Sequence, residues 1–336
     1  MSLPEPRANP ELFGHAAAEH LLAGAMQSGR LPHAWLISGP PGIGKATLAF
    51  RFARRLLAGV APGGSLALPP NDPVFRRVAN ASHADMRTIE REWDEKHKRR
   101  RGEIIIDDVR KIAGFLRLTP AEGGWRVVVV DGADDLNRNA ANALLKVLEE
   151  PPPRAILLLV GASAGGLPPT IMSRCRSLRL APLEPAEMDV ALQRLLPDLT
   201  PDQRGRLIAL SDGAPGRALQ LAEDNALGAG ELVDQLLSSG HIDVLKAHAV
   251  ADTLGRDDAG FATFMTLLRA AIAAAVRDAA RGQADPDQAR MLGSRSLDAW
   301  VEIWQSLGRL HEETEAAYLD KRQAIVTGLG LLSGRG

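Results

Sequence analysis

The sequence predicts an α/β fold: a doubly wound parallel sheet around a phosphate-binding loop, followed by an all-helical C-terminal part. Three observations carry this. The runs "WRVVVVD" (125–131) and "AILLLVGA" (155–162) are continuously apolar, as strands covered on both faces must be. A third run, "HAWLISG" (33–39), leads straight into "GPPGIGKAT" (39–47) and then into an amphipathic segment. After about residue 182 strand signals cease and only helical patterns remain.

In chain order, residues 15–28 read as a helix with Leu21, Leu22 and Met26 on one side. The strand at 33–39 follows. Residues 45–59 form a helix with Leu48, Ala49, Phe52 and Leu56 on one face, closed by Gly59. The Pro-, Gly- and Ala-rich stretch 60–82 reads as an irregular insertion. "DMRTIERE" (85–92) reads as a strand, and Lys96–Arg101 as a basic hairpin or loop tip. Residues 104–118 open extended and become a helix whose apolar face is Val109, Ile112, Phe115 and Leu116. The helix at 137–150 stops at Pro151, Pro152 and Pro153, because proline lacks the N–H that a helix needs. "PTIMSRCRSLRL" (169–180) supplies the last strand. Short helices fill 186–222, and 229–336 is helical throughout, with Trp300, Ile303, Trp304, Leu307 and Leu310 at helical spacing.

Bulk properties exclude several classes. The chain has 336 residues and a net charge of −1, so no overall field marks it as a nucleic-acid binder. Cys175 is the single cysteine, which leaves neither an intrachain disulfide nor a cysteine-rich zinc site and fits a reducing cytoplasm. The N-terminus lacks the pattern of a secretory signal, and no run of about 18 uninterrupted apolar residues predicts a membrane span.

The loop carries the chemistry. Glycines 39, 42 and 44 let backbone N–H groups turn inward round phosphate oxygens at the positive end of the following helix, and Lys45 would reach the β- and γ-phosphates. The pattern then asks for Ser or Thr, whose hydroxyl holds Mg²⁺. Ala46 stands there, and Thr47 is one residue out of register. Asp131, ending a buried strand, holds the place of the acidic residue that orients the metal through water. The next position, where ATP-hydrolysing relatives carry a water-activating Glu, is Gly132. Asp134 and Asp135 read as caps of the next helix. Loss of both groups argues against hydrolysis, since metal and general base are each worth orders of magnitude. The basic run reads as a solvated tip or a phosphate-backbone contact; Trp93 is the one ring nearby.

"LFGHAAAEHLL" (12–22), "LPHAWLISGPPGIGK" (31–45), "LLKVLEEPP" (144–152), "SRC" (173–175) and "DGAPGRAL" (212–219) together resemble the clamp-loader branch of the AAA+ ATPases. The resemblance spans residues 12–219, and "YLDKRQAI" (318–325) adds a weak cue. It implies an AAA+ P-loop α/β domain over 1–182, a small helical lid over 183–226 and a helical collar over 227–336. It implies that Arg174 is an arginine finger, reaching in trans to the γ-phosphate on a neighbouring motor subunit, and that Arg217 stands where a second sensing arginine belongs; read without the resemblance, Arg174 is an arginine that pairs with a carboxylate at a loop end and Arg217 a solvated helix residue. Gly14 and His15 would pack near adenine. The implied function is a non-motor subunit of the DNA polymerase III clamp loader, in a hetero-oligomeric ring with motor and delta-type subunits. The ring would place a sliding clamp on primed DNA. ATP or ADP in this chain's loop would be held without hydrolysis. The family's zinc module has no counterpart, since 60–82 contains no cysteine. The alternatives are a hydrolysing motor subunit of the same loader and a P-loop kinase.

Overall fold

The computed structural model describes residues 5–59, 65–94, 99–122, 124–223, 226–238, 244–255 and 258–333. The chain divides into two compact units. The first comprises 1–197 and 212–217; the second comprises 198–211 and 218–336. Residues 183–226 are thus distributed over both.

The first unit is built on a five-stranded, all-parallel sheet: β1 (Ala34–Ser38), β2 (Met86–Ile89), β3 (Arg126–Asp131), β4 (Ala155–Gly161) and β5 (Arg176–Arg179). Their spatial order is β2–β3–β4–β1–β5. The two runs of apolar residues become neighbours, with Val127 opposite Ile156 and Val130 opposite Leu159. Every residue of β1 and β4 is buried, as the absence of alternation requires. Helices α1 (Ala16–Gln27), α2 (Lys45–Leu57), α3 (Pro73–Ala79), α4 (Ile106–Leu116), α5 (Arg138–Glu149), α6 (Pro169–Met172) and α7 (Pro185–Leu195) complete the unit. Ile112 and Phe115 of α4 and Leu144 and Leu148 of α5 join Val128, Val130, Leu157 and Leu159 in one core.

Three elements differ from the sequence reading. Residues 60–82 are not wholly irregular: α3 lies inside them. Asp72 caps it by accepting from the Val74 N–H at 2.7 Å, Pro73 suits the first helical position, and Val74, Phe75 and Val78 are buried. The strand expected over 85–92 shortens to β2, after which Trp93–Asp94 pairs antiparallel with Arg99–Arg100. Lys96–Lys98 of the basic run lie outside the described residues. The last strand begins only at Arg176, because 169–172 turn into α6 behind two prolines.

The second unit is helical, with α8 (Pro201–Leu210), most of α9 (Pro215–Glu223), α10 (Ala226–Ser238), α11 (Val244–Leu254), α12 (Asp258–Ala280), α13 (Pro286–Leu292), α14 (Leu297–Ala316) and α15 (Lys321–Ser333). Helix α12 is its axis. Its stretch Gly260–Ala280 is long and apolar enough to cross a membrane by length and composition alone. Here Phe261, Phe264, Met265, Leu268 and Ile272 are fully buried, and α10, α13, α14 and α15 pack round them. Trp300 is anchored at its polar end by donating Nε1–H to the Leu292 carbonyl at 3.1 Å.

Candidate functional site

The loop between β1 and α2 takes the predicted shape. Gly39, Gly42 and Gly44 all adopt positive φ, and α2 begins at Lys45. No side chain fits at Gly42, where φ is +75° and an added Cβ would lie 2.8 Å from the Arg217 backbone nitrogen, nor at Gly39, where a Cβ would lie 2.6 Å from the Leu180 carbonyl oxygen. The Lys45 ammonium turns back on its own loop, donating to the Gly39 carbonyl at 2.8 Å and to the Pro40 carbonyl at 2.7 Å. Burial pushes its pKa below the usual lysine value, against the pull of Asp131 and Asp134. Ala46 is half-buried and offers no oxygen; Thr47 is buried within α2. His15 pairs through Nε2 with the Ile43 carbonyl at 2.9 Å, so the Gly14–His15 turn touches the loop.

Asp131 ends β3 beside the loop. Burial raises its carboxyl pKa, with Glu90 adding and Lys45 opposing. Gly132 adopts φ +86°, and a Cβ there would meet Asp135 Oδ2 at 2.6 Å. The space for a side chain at 132 is therefore occupied by a carboxylate three residues on, and Arg91 pairs with that same oxygen at 3.2 Å. Asp134 and Asp135 do not cap α5, contrary to expectation. They sit in a 3₁₀ turn over Ala133–Asp135, where Asp134 accepts from the Ala162 N–H. Asn137 is the cap, accepting from the Ala140 N–H at 2.9 Å. At the position whose hydroxyl would anchor a divalent ion beside Asp131 this loop has the methyl group of Ala46. Among the described residues no group of three or more His, Cys, Asp or Glu side chains could hold a metal.

Arg217, in the first unit, pairs with Asp212. Its neighbour Gly216 donates its backbone N–H to the Gly42 carbonyl at 2.8 Å. Residues 39, 42, 44, 45, 46, 47, 131 and 217 thus gather at one end of the sheet. Arg174 belongs to a different place, the turn between α6 and β5. Its Nη2 lies 2.9 Å from Glu149 Oε1 at the end of α5, and Nη1 donates to the Thr170 carbonyl at 2.9 Å. Cys175 is half-buried against the core, and burial pushes its thiol up to about 11, so it is an inert apolar filler. The sequence reading did not single out Glu149, although it sits within the quoted "LLKVLEEPP". Two clefts also mark this unit. One, about 590 Å³, lies between α4 and α5 and includes Arg110, Lys146 and Glu149. The other, about 550 Å³, runs along the edge strand β2 beside the exposed Trp93.

A parallel sheet ordered β2–β3–β4–β1–β5, with a phosphate loop after β1 and an aspartate ending β3, defines a P-loop protein of the AAA+ class. The family described as "DNA polymerase III, delta subunit" matches residues 14–184, just over half of the chain. The chain therefore belongs to this family of DNA polymerase III clamp-loader subunits, in its delta-prime branch. DNA polymerase III subunit delta' of Pseudomonas aeruginosa is 39% identical over 190 residues, covering 56% of this chain and 55% of that protein. The Escherichia coli subunit delta' is 35% identical over 219 residues, covering 65% and 62%. Subunit tau of Escherichia coli is 29% identical over 254 residues, covering 75% and 36%. The matches to the two delta' relatives thus span less than two thirds of those proteins' length.

Proposed function

We propose that this chain is a non-motor subunit of the clamp loader, standing in a hetero-oligomeric ring with motor and delta-type subunits and lending Arg174 to ATP held by its neighbour. The observation that carries the reading is Gly132, at φ +86° and with no side chain to offer a carboxylate, at a site whose other half lacks the hydroxyl of residue 46. A site without either group does not activate water, so the ATP consumed is the neighbour's. ATP or ADP in this chain's own loop stays uncleaved and serves structure, and no zinc is required. Arg174 suits its task because a guanidinium is always charged and presents a planar fork to phosphate oxygens. The complex opens the sliding clamp and places it on primed DNA in the cytoplasm; clamp and DNA meet this chain through the assembly.

The test is reconstitution with the motor subunits, comparing wild type with Arg174→Ala. An arginine finger is worth about 10³–10⁵ in turnover. We expect the neighbour's ATP turnover to fall by at least a hundredfold while the complex still elutes as one species. Unchanged turnover overturns the finger assignment. Brisk phosphate release by the purified chain alone, with or without primed DNA, would instead favour a motor subunit.

A further inference from the structure

We infer that Glu149 is a positioning residue for Arg174, holding the guanidinium so that its free N–H groups face outward before any neighbour arrives. The inference rests on the reading that Arg174 acts in trans, and it assigns a role to a residue of the α5 terminus that this reading leaves without one.

Arg174 is held at two points. Glu149 Oε1 accepts from Nη2 at 2.9 Å, and the Thr170 carbonyl accepts from Nη1 at 2.9 Å, with Ser173 Oγ at 3.4 Å as a third, longer contact. The two main partners come from different elements, α5 and α6, so together they fix the plane of the fork and not merely the position of its tip. A guanidinium has five N–H groups. These contacts leave others without a partner among the described residues, free to meet an anion from outside. Exposure fits this arrangement: 36% of the Arg174 side chain and 51% of the Glu149 side chain are open to solvent.

The placement of Glu149 follows from the sequence. It is the last residue of α5, and Pro151–Pro153 end the helix immediately beyond. A cation near a helix C-terminus is favoured by the exposed carbonyl ends, so the location and the carboxylate act in the same direction. An ion pair this exposed adds little stability. Its value lies in restricting rotamers: a long side chain arriving pre-set loses less freedom when it engages phosphate. Small misplacements of a catalytic group can cost a hundredfold in rate.

The experiment uses the reconstituted complex and steady-state ATP turnover, with Glu149→Gln, Arg174→Ala and the double variant. Glutamine keeps the shape but removes the charge. We expect Glu149→Gln to lower kcat on the order of tenfold with KM for ATP unchanged, because the lost orientation is felt in the transition state. In the Arg174→Ala background the same change should have no further effect, and the melting temperature of the isolated chain should stay the same. Turnover unchanged or raised by Glu149→Gln, while Arg174→Ala still lowers it, overturns the inference and leaves the finger standing. An equal loss in both backgrounds also overturns it. Loss of assembly would mean that Glu149 holds the interface and not the fork, and would overturn it too. If Arg174→Ala itself changes nothing, the finger falls and this inference falls with it.

Discussion

The backbone N–H of Gly216 donates to the carbonyl of Gly42 at 2.8 Å, and neither residue has room for a methyl group. A Cβ at 216 would stand 2.9 Å from both the α-carbon and the carbonyl oxygen of Gly42. The phosphate-binding loop is thereby pinned to the segment 212–217 by main chain on both sides. Gly42→Ala must bear left-handed strain as well as the clash, and the strain alone is about 1–2 kcal/mol. We expect Gly42→Ala and Gly216→Ala each to lower the unfolding free energy by about 2 kcal/mol or more in urea titration. A loss below the measurement error in both would mean that the loop and the segment yield to each other freely.

Restoring a glutamate at 132 should be costly rather than enabling. The position has φ +86°, and its side-chain space is held by the carboxylate that pairs with Arg91. Gly132→Glu is expected to destabilise the chain by about 1–3 kcal/mol. Pairing it with Asp135→Gly should recover part of that loss, and a double-mutant cycle measures the coupling. Strict additivity of the two changes would refute the shared space.

Asn137, rather than either preceding aspartate, begins α5. Asn137→Ala should cost about 1 kcal/mol, the usual worth of an N-cap. Asp135→Ala should leave the α5 amides as protected from hydrogen exchange as in wild type. Reversal of that order in an exchange experiment would reinstate the aspartates as caps.

His83 sets a pH dependence. It is buried, and its Nδ1 accepts from the Asp85 N–H at 3.1 Å, so the neutral ring carries its proton on Nε2, 3.8 Å from Glu122 Oε1. Burial is the largest influence and pulls the pKa below 6.5; Arg77 acts with it, while Glu122 and Asp85 oppose. The unfolded chain therefore takes up this proton first as pH falls. Stability from neutral His83 is complete above the unfolded value and is lost as pH drops from there through the lower folded value, at no more than about 1.4 kcal/mol per pH unit. Melting curves between pH 7.5 and 5.5 should show this decline, and His83→Gln should flatten it. Identical slopes for the two proteins would remove His83 from the account.

The parts of the fold that could be read directly were those where one residue type decides the outcome. Val127–Val130 and Ile156–Leu159 have no polar face to offer water, so they can only be interior strands. The glycines of the loop and Lys45 identify it by spacing. Helix α3 was hidden because prolines and glycines around it dominate the local composition, although Asp72–Pro73 is itself a helix start. The occupant of the space at Gly132 and the partner of Arg174 were invisible for a different reason. Each depends on where a side chain comes to rest after the turn or the α5 terminus has formed, and separations of 3 and 25 residues carry no periodic signature.

Helix α12 leaves the second unit with a vulnerability. The apolar face of the stretch Gly260–Ala280, with Phe261, Phe264, Met265, Leu268 and Ile272, is kept from water by the helices packed along it. Heat or denaturant that parts those neighbours exposes a surface that prefers detergent, lipid or another opened molecule to water. Irreversible clumping on heating, prevented by mild detergent, is how this unit should fail.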